Sequence, residues 1–494
     1  MISNYCKDCE AILCYTAIVT KITAVLNYCI GKLLKGGHST MKRKVLSVLL
    51  STAMVASLLV GCGGGSTESA SGSDSSATTE SAGTTEAASD TAAADSASGE
   101  VQEITWMFWD DLNATEDLIS LGYKDVVDRF NADYEGVYHV TPVTTNLEEY
   151  YTKLNALVAS GQTPDVFIVS PGPNLDVYVE PGVTADLTDY LKQDGWIDTF
   201  NGGEGAFSQQ TYDGKIYAVP LNIAAACVFY NTEMFANAGI DTMPTDWDGM
   251  MDACQKLQDA GYTPLTISAG TAWCLSMLAG YLCDAEGVDL DAIDAGTAHW
   301  TDPNVVSATN KMLEISQYFQ PTAAGDTNDV ATANFYNEEA AMLIQGSWAI
   351  GQINGANPDF ESKCGVFAFP GTDGRVIAKS DSLAMSSTTE HPEAVIAFMK
   401  YFTDDTAQKY TAEVGGKIPV TTVEYDASVA PAQLAYVMDV FSNAKSTFGF
   451  YNESLASTEA GSTFDDAMVS IYLGTPVEEG LQTVEDFYVN NVWQ

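Results

Sequence analysis

The chain has 494 residues, with 66 acidic against 21 basic side chains and a formal net charge of −45 at pH 7. An excess of that size repels nucleic acid and anionic membrane surfaces and favours solubility. It also leaves no basic cluster to pair an anionic solute, so a neutral or cationic ligand fits better.

The first 40 residues are moderately apolar between Ala11 and Leu34, but Lys21, Asn27 and Lys32 interrupt the run. A membrane-spanning helix needs about 20 predominantly apolar residues, so this stretch is a poor candidate. We read residues 1–40 as an extension upstream of the true start at Met41. Met41-Lys42-Arg43-Lys44 is a short cationic segment, and Val45 to Leu58 has the length and character of a signal-peptide core. Leu59-Val60-Gly61-Cys62 follows, and resembles a bacterial lipobox. In that motif the cysteine thiol takes a diacylglycerol and its amine becomes the new N-terminus. Cys62 is therefore the expected lipidation site, with residues 41–61 removed and the protein held on the extracytoplasmic face of the cell membrane.

Seven of the basic and two of the acidic residues precede Cys62, leaving 14 bases against 64 acids beyond it. Ser66 to Glu100 contains no aromatic residue and no Leu, Ile or Val. Such a segment cannot bury enough apolar surface to offset its ordering entropy, so 62–100 is expected to be a disordered acidic tether. About 390 residues remain, enough for two lobes rather than one core.

Glu103 to Trp109 is rich in β-branched and aromatic residues and reads as a strand. Thr115 to Tyr134 places Leu118, Ile119, Val126, Val127 and Phe130 at helical spacing. Val137 to Val143 is strand-like. Leu147, Tyr150, Tyr151, Leu154, Leu157 and Val158 mark a second helix, which Gly161 stops and Pro164 follows. Asp165 to Val169 is a continuous apolar run, as in a strand covered on both faces. This βαβαβ order begins a mainly parallel, helix-covered α/β sheet.

Further on, Ile216 to Pro220 and Ala225 to Tyr230 read as strands that close one unit and enter another. Thr245 is placed to N-cap a helix running to Gly261, and Pro264 to Ser268 is the next strand. Ala340 to Ile344 and Val366 to Phe369 are apolar strands, Glu393 to Phe402 is an amphipathic helix, and the chain from Asp405 on is mainly helical. Five cysteines, Cys227, Cys254, Cys274, Cys283 and Cys364, lie beyond Cys62. Their odd number leaves at least one unpaired. If Thr271 to Asp284 is a helix, Cys274 and Cys283 stand ~13 Å apart, beyond disulfide reach. No disulfide framework, metal-type spacing or cofactor motif is present in the sequence.

Thr163-Pro-Asp-Val-Phe-Ile-Val169, Tyr212-Asp-Gly-Lys-Ile-Tyr-Ala-Val-Pro220 and Val228-Phe-Tyr-Asn231 together resemble the extracellular solute-binding proteins of family 1. Ala341-Met-Leu-Ile-Gln-Gly-Ser-Trp348 matches that family's apolar strand ending in Gly-x-Trp. Gly415-Gly416-Lys417-Ile418-Pro419 matches its Gly-x-x-Pro turn. The resemblance runs from about Ile104 to the C-terminus. It implies the two-lobed, periplasmic-binding-protein-like α/β fold (type II), hinged between lobes, serving the permease of an ABC importer. On that pattern residues 101–222 and 370–406 form lobe 1, and 223–369 and 407–494 form lobe 2. Near Ala224 the maltose-binding relative carries an acidic residue, and no clear aromatic stands near Ser462 here, so the resemblance leaves the identity of the sugar open, maltose included.

Sugars present apolar C–H faces and hydroxyl edges, so their sites combine aromatic platforms with a few hydrogen-bonding groups. By resemblance Trp348 stacks on a sugar ring. Trp109 and Asp110 follow the first strand, where a cleft opens in this architecture. Trp273 corresponds loosely to a second-lobe aromatic, although core packing explains it equally well. Ser170 and Asn174 follow the third strand, Asn222 lies at a lobe crossing, and Asp381 sits where the chain returns to lobe 1. These eight residues are the expected ligand contacts. The expected function is capture of a carbohydrate, an oligosaccharide, by a monomeric, cofactor-free lipoprotein. The alternatives are a binder of a cationic solute such as a polyamine, and a cell-surface carbohydrate hydrolase. No His-Glu-x-x-His, Gly-x-Ser-x-Gly or phosphate-cradling glycine loop supports an enzyme. Ser442-Asn-Ala-Lys445 fits a Ser-x-x-Lys pattern by chance, since no Lys-Thr-Gly partner accompanies it.

Overall fold

The computed structural model describes residues 100–115 and 117–494. The proposed signal, Cys62 and the tether up to Gly99 lie outside these residues. Among the described residues there are thirteen strands: β1 (Gln102–Phe108), β2 (Tyr138–Thr144), β3 (Val166–Val169), β4 (Thr211–Tyr212), β5 (Lys215–Ile216), β6 (Ala218–Pro220), β7 (Ala224–Asn231), β8 (Leu265–Thr266), β9 (Met342–Gly346), β10 (Cys364–Phe367), β11 (Arg375–Lys379), β12 (Ser382–Met385) and β13 (Ser446–Phe448). The first lobe is built on the sheet β2-β1-β3-β12-β6, and the second on β13-β11-β7-β9-β8, with β10 also paired to β7.

Strand direction in both sheets has one cause. β2, β1, β3 and β6 run the same way, and β12 alone opposes them. In the second sheet β8, β9, β10, β11 and β13 agree, and β7 alone opposes. β7 follows β6 directly, and β12 follows β11 directly, each after crossing from the other lobe. A strand that crosses without a helix must enter at the edge where its predecessor left. It therefore runs away from the carboxyl ends of the strands around it. Those carboxyl ends face one another across the space between the lobes, the place where open α/β sheets bind ligands.

The helices form where caps and apolar stripes agree. Asp117 caps Leu118–Asp133 by accepting from the Ile119 N–H at 3.2 Å, so the helix begins three residues after Thr115. Asn146 caps Leu147–Ala159 through the Glu149 N–H at 2.9 Å. Asp246 rather than Thr245 caps Trp247–Asp259, because its carboxylate reaches the Gly249 N–H at 2.8 Å. The helix Ala272–Ala285 is apolar nearly all round and buried from Cys274 to Asp284. It carries both Cys274 and Cys283, and all five described cysteines are buried and none forms a disulfide. No helix among the described residues is long and apolar enough to cross a membrane.

The lobe boundaries differ from the sequence expectation at two points. Residues 370–379 were expected in lobe 1, but β11 pairs with β7 and β13 of the second sheet, so the return crossing lies at Ser380–Asp381. The helix Asp405–Glu413 also straddles the lobes: Ala407 packs in the first core and Ala412 in a second-lobe cluster. The chain extends back through Ile418, which pairs with Ile223. Three crossings therefore lie side by side. The Leu221 N–H donates to the Asp381 carbonyl at 2.9 Å, and Ile223 and Ile418 exchange hydrogen bonds of 2.8 and 3.3 Å. The Ser380 hydroxyl donates to the Asn222 carbonyl at 2.5 Å.

Candidate functional site

A cleft of about 1480 Å³ opens between the lobes. Seven of the eight residues expected from the sequence line it: Trp109, Asp110, Ser170, Asn174, Trp273, Trp348 and Asp381. Asn222 does not. It is 1% exposed, and its amide donates to the Tyr123 hydroxyl at 2.8 Å inside the hinge. Proximity to a crossing placed it near the cleft in sequence, but the neighbouring main-chain pairing turns its side chain inward.

On the first lobe, Trp109 and Asp110 leave the end of β1. Trp109 stands edge-on to Tyr150, with centroids 5.2 Å apart. Burial, with Asp117 and more distant carboxylates adding to it, pushes the Asp110 carboxyl up to about 8, against the opposing pull of Lys417. Ser170 follows β3, and its N–H donates to the Tyr151 hydroxyl at 3.0 Å.

On the second lobe, Trp348 leaves the end of β9, Trp273 opens the apolar helix, and Phe450 follows β13. Ring centroids are 6.0 Å apart for Trp273–Trp348, 5.8 Å for Trp348–Phe450 and 6.1 Å for Trp273–Phe450. The three rings make one aromatic wall, and neither indole N–H has a partner among the described residues. Asp465, hydrogen-bonded by Asn452 at 3.0 Å, lies in the same wall, and burial pushes its carboxyl up to about 7.

A lysine links the lobes. Lys379 ends β11, and its ammonium donates to both Glu453 oxygens at 2.9 and 3.1 Å and to the Ser170 hydroxyl at 3.2 Å. It also pairs with Asp381 at 3.3 Å and lies 5.1 Å from the Phe450 ring centroid. Burial opposes its charge, but Asp381 and Glu453 outweigh that and hold the ammonium above its usual range.

The sequence reading missed Lys379, Phe450, Glu453, Lys417 and Asp465. Phe450 follows β13, a three-residue strand in a region read as helical, so its place at a strand's carboxyl end was hidden. Lys417 stood within the quoted Gly-Gly-Lys-Ile-Pro turn but was treated as part of the turn.

Residues 116–409 match the bacterial extracellular solute-binding protein family. The chain is 27% identical over 307 residues to a multiple sugar-binding protein of Streptococcus mutans serotype c, covering 57% of this chain and 69% of that one. It is 26% identical over 278 residues to a probable sugar-binding periplasmic protein of Mesorhizobium japonicum, covering 55% of this chain and 65% of that one. Among solved structures, a chitin oligosaccharide binding protein superposes with a TM-score of 0.73 at 25% identity, over 79% of this chain and 99% of that one. The fold, the cleft at the strands' carboxyl ends and the extent of the family match agree: the protein belongs to the bacterial extracellular solute-binding proteins.

Proposed function

We propose that the protein captures a carbohydrate, an oligosaccharide, in the interlobe cleft and delivers it to the membrane permease of an ABC importer. The observation that carries this reading is the wall of Trp273, Trp348 and Phe450 facing hydrogen-bonding groups across the cleft. Aromatic faces suit the C–H faces of sugar rings, and Asp110, Ser170, Asn174 and Asp381 suit their hydroxyl edges. The volume exceeds the roughly 300–1,000 Å³ of ordinary small-molecule sites, which leaves room for more than one ring. The sugar-binding names of the relatives support the same choice.

Family membership places the work outside the cytoplasm. Our finer reading is that Cys62 carries the lipid and that 62–100 tethers a monomer near its permease while the hinge opens and closes. The site is read as one of binding rather than turnover. Incubation with labelled oligosaccharides tests that, since product formation contradicts it.

One observation favours a second reading. Nine carboxylates line the cleft against two lysines among the described residues, a balance that suits a cationic solute such as a polyamine. A thermal-shift screen separates the two. A ligand at ~100 times its dissociation constant stabilises the fold by ~2.7 kcal/mol. A shift with a polyamine and with no sugar overturns the carbohydrate assignment.

A further inference from the structure

The turn Gly415–Pro419 delivers a side chain that the turn itself does not need. Gly416 has φ +69°, and a Cβ there would meet Ile350 at 2.3 Å, so only glycine lets the chain pass. The Lys417 N–H donates to the Thr411 carbonyl at 3.0 Å, and the next residue is pinned to Ile223. Held on both sides, Lys417 is 7% exposed and lines the cleft.

Its ammonium makes no hydrogen bond and no ion pair among the described residues, whereas Lys379, the other lysine of the cleft, has four partners. Asp381, Asp117, Asp110 and Lys379 line the same cleft and their charges act on Lys417, yet none of the carboxylates pairs with it. An ammonium taken out of water without a partner is costly. A hydroxyl set between it and a carboxylate answers both groups at once, accepting from the one and donating to the other. An amine in the same place has no lone pair free for Lys417 when charged, and is repelled by it.

We infer that Lys417 is a ligand-binding residue. Hydroxyls of one sugar ring accept from its ammonium and donate hydrogen bonds to carboxyl oxygens of Asp110 and Asp381, so this end of the cleft accepts an uncharged polyol edge and rejects an amine. The inference rests on the carbohydrate reading and adds to it a residue and a charge preference.

The test is calorimetric titration of the whole protein with an N-acetylglucosamine trimer, xylobiose, maltotriose, raffinose and spermidine. At least one sugar should bind the wild type, and spermidine should not. Lys417→Met should weaken that sugar by roughly 10- to 100-fold, the loss of a hydrogen bond to a charged group. Lys256→Met, on an exposed helix face, should leave the affinity unchanged. Thermal melts of each ligand-free variant separate lost binding from lost folding, and Lys417→Gln substitutes if the Met variant does not fold. Equal affinity in wild type and Lys417→Met overturns this inference and leaves the carbohydrate reading standing. A wild type that binds no sugar overturns the carbohydrate reading, and this inference with it.

Discussion

The indole of Trp348 folds back over Gly346, so closely that a Cβ on residue 346 would lie 2.1 Å from the ring. The last residue of β9 thus sets the position of the ring that packs against Trp273 and Phe450. This gives the Gly-x-Trp pattern a mechanical meaning: the glycine is the seat of the aromatic wall. Gly346→Ala should still fold, because the strand needs no side-chain hydrogen bond there, but the ring must move. We expect sugar affinity to fall by about tenfold, in line with the ~1.4 kcal/mol of one displaced aromatic contact. Titration, with near-UV circular dichroism to report the indole, checks this; an unmoved signal and unchanged affinity would count against it.

Asp110 should give the ligand-free protein a pH-dependent stability. Its folded value of about 8 lies above the ordinary carboxylate value of 3.8, so the folded state holds the proton more tightly than the unfolded chain. The resulting destabilisation is absent below about pH 4, grows as pH rises, and is complete above about pH 8. Asp110→Asn should remove that slope. Its melting temperature should exceed the wild type's by about 3 °C or more at pH 8.5 and match it near pH 4. Parallel curves across that range contradict the assignment.

The hinge should be sensitive at Asn222. Its amide is the partner of the Tyr123 hydroxyl, and both residues are buried. Asn222→Ala leaves that hydroxyl unpaired, which costs about 1–3 kcal/mol. Tyr123→Phe removes the other half of the bond, so urea midpoints of the double variant should show less than the sum of the single losses. Additive losses would mean the bond contributes nothing.

Lys379 ties β11 to both lobes and should be more important than either carboxylate. Glu453→Gln leaves the ammonium with Asp381 and Ser170, and we expect a loss of about 1–2 kcal/mol. Lys379→Met strands Asp381 and Glu453 together in a half-buried space, at about 3 kcal/mol or more. Since the pair is largely shielded from solvent, raising salt from 0.1 to 1 M should change neither value much. Denaturant titration of the two variants at both salt concentrations decides the order.

Much of this protein is legible in its residues alone. The apolar runs at Val166–Val169 and Met342–Gly346 are strands because a sheet covered on both faces needs continuous apolar side chains. Helical spacing located Leu118–Asp133 and Leu147–Ala159, with the first helix starting at Leu118 rather than Thr115 because Asp117 caps it. Once strands and helices alternate, the carboxyl ends become the place to look. That is why the sequence places Trp109, Asp110, Ser170 and Trp348, each just past a strand's carboxyl end, in the cleft they line. Asn222 failed because a position near a crossing does not say which way a side chain turns.

What only the tertiary structure decided are the relations between residues far apart in the chain. Lys379 meets Glu453 74 positions later, Trp273 meets Phe450, and Lys417 is brought into the same cleft as Asp110 by a turn pinned to Ile223. Local sequence encodes the period and caps of each element, because those depend on neighbours within a few residues. It does not encode which ammonium finds carboxylates and which is left without one. That depends on three crossings packing side by side, and it is this packing that makes Lys379 a brace between the lobes and leaves Lys417 unpaired in the cleft.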